Sequence, residues 1–137
     1  MDVIIRVDAR EAEQMISQAP VQIRRAMRMG MEDATALLLR DMRDYPTQRP
    51  GSTYIRTHTL DRSWNREVKG QFMAVGDELR GVIFSNGNIA PYNRLVQDDL
   101  FQAQVHRGRW LTVQDIQRLR QQDVQRVFEA RLQAELR

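Results

Sequence analysis

The spacing of apolar positions along this chain changes several times, and each change marks an element. Val3, Ile4, Ile5 and Val7 crowd the stretch Val3–Asp8 with apolar side chains, which predicts a short strand. From Ala9 the spacing lengthens. Ala12, Met15, Ile16 and Ala19 recur at helical intervals and predict a short amphipathic helix. It should stop before Pro20, because proline disfavours α geometry in the residue ahead of it. Pro20 itself suits the first turn of a second helix, where its missing N–H leaves no bond unmade. Ile23, Ala26, Met27, Gly30 or Met31, Ala34, Leu37, Leu38, Met42 and Tyr45 then hold the helical period until Pro46. Arg24, Arg28, Glu32, Asp33, Arg40 and Asp44 fall on the opposite face. Methionines at this spacing (Met15, Met27, Met29, Met31, Met42) read as gap-filling core or subunit interface rather than a ligand groove.

Thr47–Thr53 lacks apolar periodicity and contains Pro-Gly, so it reads as a loop. Thr57–Trp64 predicts a short helical turn with Leu60 and Trp64 on one face. A β-rich middle follows. Trp64, Arg66 and Val68 alternate; Phe72, Ala74 and Val75 precede a turn at Gly76-Asp77-Glu78; Leu79–Ser85 returns as a strand. Asn86-Gly87-Asn88 is a further tight turn. The sum is an antiparallel sheet of three strands, with the N-terminal strand a candidate for one edge. Pro91 opens a short helix carrying Tyr92, Leu95 and Val96, and Asp98–Arg109 reads as a second loop. Thr112 with Asp115 forms a capping-box pattern before a closing helix from Val113 toward Arg137. Its apolar side is Ile116, Leu119, Val124, Val127, Phe128, Leu132 and Leu136. The expected fold is a single α+β domain over 1–137: a small antiparallel sheet packed against a long helix of the N-terminal half and a C-terminal helix.

Composition narrows the possibilities. The chain has 137 residues, 28% charged and 42% hydrophobic, an ordinary globular balance. It has no cysteine, which excludes disulfides, thiolate metal sites and a cysteine nucleophile. No basic region precedes a long apolar run at the N-terminus, and no stretch has the length of a membrane span, so a soluble cytosolic product is expected. The formal charge is +3, and the basic side consists of 20 arginines and one lysine, Lys69. The arginines are interleaved with 18 acids, which points to carboxylate pairing and interface use more than to a phosphate-binding run.

Candidate chemistry is sparse. His58 and His106 are the two histidines, and neither has a ligand partner at metal-binding spacing. His58 with Asp61 reads as a local or exposed pair. Ser63 lacks the Gly-x-Ser-x-Gly elbow of a nucleophilic serine, and Gly76, Gly81 and Gly87 form no phosphate loop. No catalytic set, cofactor site or metal site is expected. For nucleic acid the best candidates are Arg107 and Arg109 beside Trp110, whose ring offers a stacking surface. Tryptophan and arginine are also enriched at protein interfaces, and one R-x-R-W is not a basic stripe.

The stretch Tyr54-Ile55-Arg56-Thr57-His58-Thr59-Leu60-Asp61-Arg62-Ser63-Trp64 is more specific. It resembles the central motif of small siphophage tail-completion and head–tail connector (neck) proteins, including tail components of the minor-tail-protein-Z type. The similarity extends over the opening strand and helix, the long helix to Tyr45, the hairpin ending Ile83-Phe84-Ser85-Asn86, the segment Ala90-Pro91-Tyr92 to Val96-Gln97, and His106-x-Gly108-Arg109-Trp110. The resemblance implies a structural virion protein, not an enzyme, assembled in the host cytoplasm. It would form a homo-oligomeric ring, commonly of six, at the head-proximal end of a tail, between head connector and tail-tube proteins, with packaged DNA passing through the lumen and no membrane involved. In a closed ring each subunit presents two complementary surfaces. The two loops and their flanks are the expected contacts: Arg49, Tyr54, Arg56, His58 and Arg62 around the first, and Gln97, Asp98, Asp99, His106, Arg107, Arg109 and Trp110 around the second. The alternative is a small Arg-rich nucleic-acid-binding protein.

Overall fold

The computed structural model describes residues 2–5, 20–45, 50–51, 59–70, 78–93, 97 and 111–136. Its elements run β1 (Asp2–Ile5), α1 (Pro20–Arg43), α2 (Thr59–Ser63), β2 (Trp64–Lys69), β3 (Arg80–Ser85) and α3 (Val113–Glu135). The architecture is α+β, as expected. The sheet is antiparallel in the order β1-β3-β2, with the N-terminal strand on one edge. β2 pairs directly with β3, from Trp64 opposite Ser85 to Lys69 opposite Arg80. The strand expected at Phe72–Val75, its turn and the short helix before Pro20 lie outside the described residues.

Strand composition follows position in the sheet. β3 is central and carries the apolar run Val82-Ile83-Phe84, suited to a strand flanked on both sides. β2 alternates about an edge: Trp64 is buried and Val68 half-buried, while Asn65, Glu67 and Lys69 are exposed on the other face. Gly70, just past β2, has a positive φ of 89°, and a Cβ there would run into the Glu78 carbonyl.

α1 and α3 share the inner face of the sheet. Their main cluster joins Met31, Ala34, Leu38 and Met42 of α1 to Trp64 and Ile83 of the sheet and Val113, Ile116 and Val124 of α3. A second cluster joins Ile23 and Met27 to Phe128. Met27, Met31 and Met42 are therefore core residues. α1 ends at Arg43, two residues before the expected Tyr45, because the chain there turns toward Trp64. The Arg43 guanidinium donates to the Trp64 carbonyl at 2.7 Å, and the Tyr45 hydroxyl accepts from the Trp64 indole at 2.9 Å.

One apolar assignment on α3 is corrected. Leu119 is 61% exposed, and the inward position between Ile116 and Val124 belongs to Arg120, which reaches Asp41 of α1 at 2.6 Å. Arg131 likewise crosses to Asp33 through two bonds of 2.6 and 3.2 Å. These contacts make the helices antiparallel, since the start of α3 meets the end of α1. The carboxylate bonds raise the pKa of both guanidinium groups above the ordinary arginine value, so both stay charged at any pH the fold survives.

The helices come close at Gly30, where a Cβ would stand 2.8 Å from the Phe128 ring and 3.1 Å from its carbonyl oxygen. Two effects oppose each other in Gly30→Ala. Helix propensity favours alanine by about 1 kcal/mol, while overpacking costs about 1–3 kcal/mol. Because a backbone oxygen is among the crowded atoms, a side-chain rotation does not relieve the clash. Gly30→Ala is expected to lower stability on denaturant unfolding, and Phe128→Ala to lower it by about 3–5 kcal/mol.

Candidate interaction surfaces

The sequence motif that sets this chain apart ends in the described residues Leu60, Ser63 and Trp64, and all three are buried. Ser63 begins a chain of hydrogen bonds that crosses the molecule. Its hydroxyl donates to the Leu60 carbonyl at 2.6 Å and stands 3.1 Å from the Ser85 hydroxyl. With Ser63's one proton so committed, Ser85 donates to Ser63. The Asn93 amide donates to the Ser85 oxygen at 2.7 Å, and the Gln97 amide lies 3.5 Å from the Asn93 side-chain oxygen. Gln97 Oε1 finally accepts from the Val113 N–H at 2.6 Å. Every donor points the same way, from the first turn of α3 to the carbonyl of Leu60, so each bond polarises the next.

The relay also completes the cap of α3. A helix start leaves backbone N–H groups without intrahelical partners. Thr112 Oγ1 accepts from Asp115 N–H at 3.2 Å, Asp115 Oδ2 accepts from Thr112 N–H at 3.0 Å, and Gln97 takes the Val113 N–H. The capping box was legible from residue types; the contribution of Gln97, 16 positions away, was not. The relay has no titratable member, so it has no group to act as a base toward either serine hydroxyl.

Of the expected contact residues, Arg49, Tyr54, Arg56, His58, Asp98, Asp99, His106, Arg107, Arg109 and Trp110 lie outside the described residues. Arg62 is exposed on α2. Gln97 is placed differently: it is 5% exposed, and its side chain is spent on Val113 and Asn93. It is an internal strut rather than a contact residue, because the Val113 N–H, which the capping box does not satisfy, drew its side chain inward.

Two arginines of α1 cover the open edge of the sheet: Arg28, which the sequence places on the solvent face, and Arg43. The Ser63 carbonyl accepts from the Asn86 N–H at 2.8 Å, which fixes the alternation: odd residues of β2 bond to β3 and even residues turn their backbone groups outward. Arg43 reaches the outward carbonyl of Trp64, and Arg28 reaches those of Val68 and Gly70 at 3.3 and 3.4 Å. Arg66 returns the contact, donating to the Glu32 carbonyl at 3.1 Å and the Thr35 hydroxyl at 3.3 Å. Charged side chains over an edge strand discourage pairing with another chain. Beside that edge, Ala36, Leu39, Arg40, Arg43, Asp44 and Arg66 bound an open groove of about 480 Å³.

Among the described residues no three His, Asp or Glu side chains are grouped to hold a metal, and no helix is long and apolar enough to cross a membrane. Comparison with family models, curated proteins and solved structures gave no match.

Gln97→Ala is expected to lower the stability of the isolated chain by about 1–3 kcal/mol, the cost of leaving a buried donor without a partner. A contact residue with no internal role would leave the urea midpoint unchanged.

Proposed function

We propose that this chain is a structural virion protein, a neck or tail-completion subunit that forms a ring at the head-proximal end of a phage tail and joins it to the head connector. The observation that carries the reading is the setting of the motif residues. Of the residues shared with tail-completion proteins before the hairpin, the described ones, Leu60, Ser63 and Trp64, hold α2 together and tie the start of β2 to the end of α1. Ser85, in the later shared stretch Ile83-Phe84-Ser85-Asn86, continues the same hydrogen-bond chain, bonding to Ser63 and accepting from Asn93. A resemblance resting on residues that also hold the fold together is consistent with shared architecture, not only shared composition.

Use of the arginines adds support. Among the described residues Arg28, Arg43 and Arg66 bind backbone oxygens between α1 and β2, while Arg80, Arg118, Arg120, Arg126 and Arg131 pair with carboxylates. Groups so engaged do not form a continuous phosphate-binding stripe. A rigid two-layer frame with long connecting segments suits a ring subunit, whose neighbours meet through different surfaces.

Light scattering of the purified protein over a concentration range, with and without a short DNA duplex, tests the proposal. A discrete species near six subunits, indifferent to DNA, is the expected result. Trp110→Ala and Arg109→Ala should weaken that assembly and leave the unfolding transition of the subunit in place. A monomer or dimer that takes up DNA at low salt and releases it at high salt would instead identify a nucleic-acid-binding protein.

A further inference from the structure

The groove beside the sheet edge is built differently from the rest of the described surface. Elsewhere arginines mostly meet a carboxylate within a few ångströms, as Arg120 meets Asp41 and Arg131 meets Asp33. Here three guanidinium groups, from Arg40, Arg43 and Arg66, stand around a floor of Ala36 and Leu39 with the single carboxylate of Asp44 on the rim. Two of the three are held in place without being neutralised. Arg43 is fixed by the Trp64 carbonyl, and Arg66 by the Glu32 carbonyl and the Thr35 hydroxyl. Each bonds through one terminal nitrogen and keeps the rest of its donor fork. Arg40 is 71% exposed, and its nearest acid, Asp41, stands 3.9 Å away and is bound more closely by Arg120 at 2.6 Å.

We propose that this groove docks a short acidic segment of a partner protein. Its carboxylates would sit on Arg40, Arg43 and Arg66, and an aliphatic side chain between them on Ala36 and Leu39. Arginine's planar fork matches a carboxylate through two parallel bonds. Because Arg43 and Arg66 are already oriented, binding them costs less side-chain freedom than binding loose surface arginines. The charge surplus names the chemistry of the occupant, and the apolar floor separates a peptide from a nucleic acid. A phosphate backbone gains nothing from Ala36 and Leu39, whereas an aliphatic side chain set between two carboxylates buries apolar surface on them. The proposal does not rest on the neck-ring reading, since the groove is complete within one subunit.

Fluorescence anisotropy with a panel of short labelled peptides, each combining aspartate or glutamate with one leucine at varied spacing, tests it. A labelled DNA duplex and a lysine–leucine peptide serve as comparators. At least one acidic peptide is expected to bind saturably and to weaken as salt rises. Arg40→Glu should reduce its affinity by about tenfold or more, and Ala36→Glu, which places a carboxylate on the groove floor, should do the same. Arg40→Ala, with only the distant Asp41 to lose, should weaken binding and leave the unfolding midpoint unchanged. A panel with no binder sensitive to Arg40→Glu would overturn the proposal. Duplex DNA competing through the same arginines would overturn it in favour of a nucleic-acid surface. Self-association abolished by Arg40→Glu would overturn it in favour of a second copy of the chain. A six-subunit species absent alongside Arg40-dependent peptide binding would remove the ring and leave the groove.

Discussion

Two helices share one face of a three-stranded sheet here because two side chains are missing. At Gly30 a Cβ would press on Phe128 of α3, and at Gly81 one would stand 2.5 Å from Thr35 and 2.9 Å from the Met31 sulfur of α1. α1 is thus drawn close to the other helix at one point and to the sheet at the other. The rest of the packing follows. Once α1 is that near, Met31 and Ala34 touch both layers, Trp64 is sealed at 0% exposure, and the arginines of α1 come within reach of the β2 edge. Interiors packed at crystal-like density leave little room to take up an added methyl group by small shifts elsewhere.

Backbone polar groups account for much of the remaining design. An edge strand and a helix start both leave hydrogen-bonding groups that burial would otherwise strand. The edge is met by Arg28 and Arg43, and the start of α3 by its own capping box and by Gln97. Both solutions tie elements distant in sequence. The relay from Val113 to Leu60 passes through β3 and the turn after it, so the first turn of α3 and the short α2 are held by one set of bonds. Such a set is worth most when every member is satisfied.

The same accounting shapes the functional reading. Arginine is the dominant cation of this chain, and its abundance alone suits a nucleic-acid binder or an interface protein equally. The partners separate the cases. Guanidinium groups that bridge α1 to α3 or cover backbone carbonyls are structural, and among the described residues Arg40, Arg43 and Arg66 stand together at one groove. A surplus that small, set around aliphatic side chains, suits recognition of a protein segment.

Much of the fold was legible in local sequence. The helical period and two prolines located α1, Thr112 with Asp115 located the start of α3, and alternation about Trp64 with the run at Ile83 located β2 and β3. These signals are local because capping and periodicity depend on neighbours in the chain. The motif Leu60-Asp61-Arg62-Ser63-Trp64 was visible as a pattern, though not as the anchor of a buried relay. Leu119 and Arg120 show where such reading fails: adjacent positions near the rim of a helix face differ little in period, and Asp41, a residue of another helix, decided which turned inward. Gln97 shows the same for a polar group, since its burial depended on the unmet N–H of Val113. The sequence by itself determined which segments are helices and strands and the sign and kind of charge they carry. Which arginines are spent on the fold and which are left at a groove was decided only by tertiary structure, because a charge is neutralised by what lies nearest in space and that order is not written along the chain.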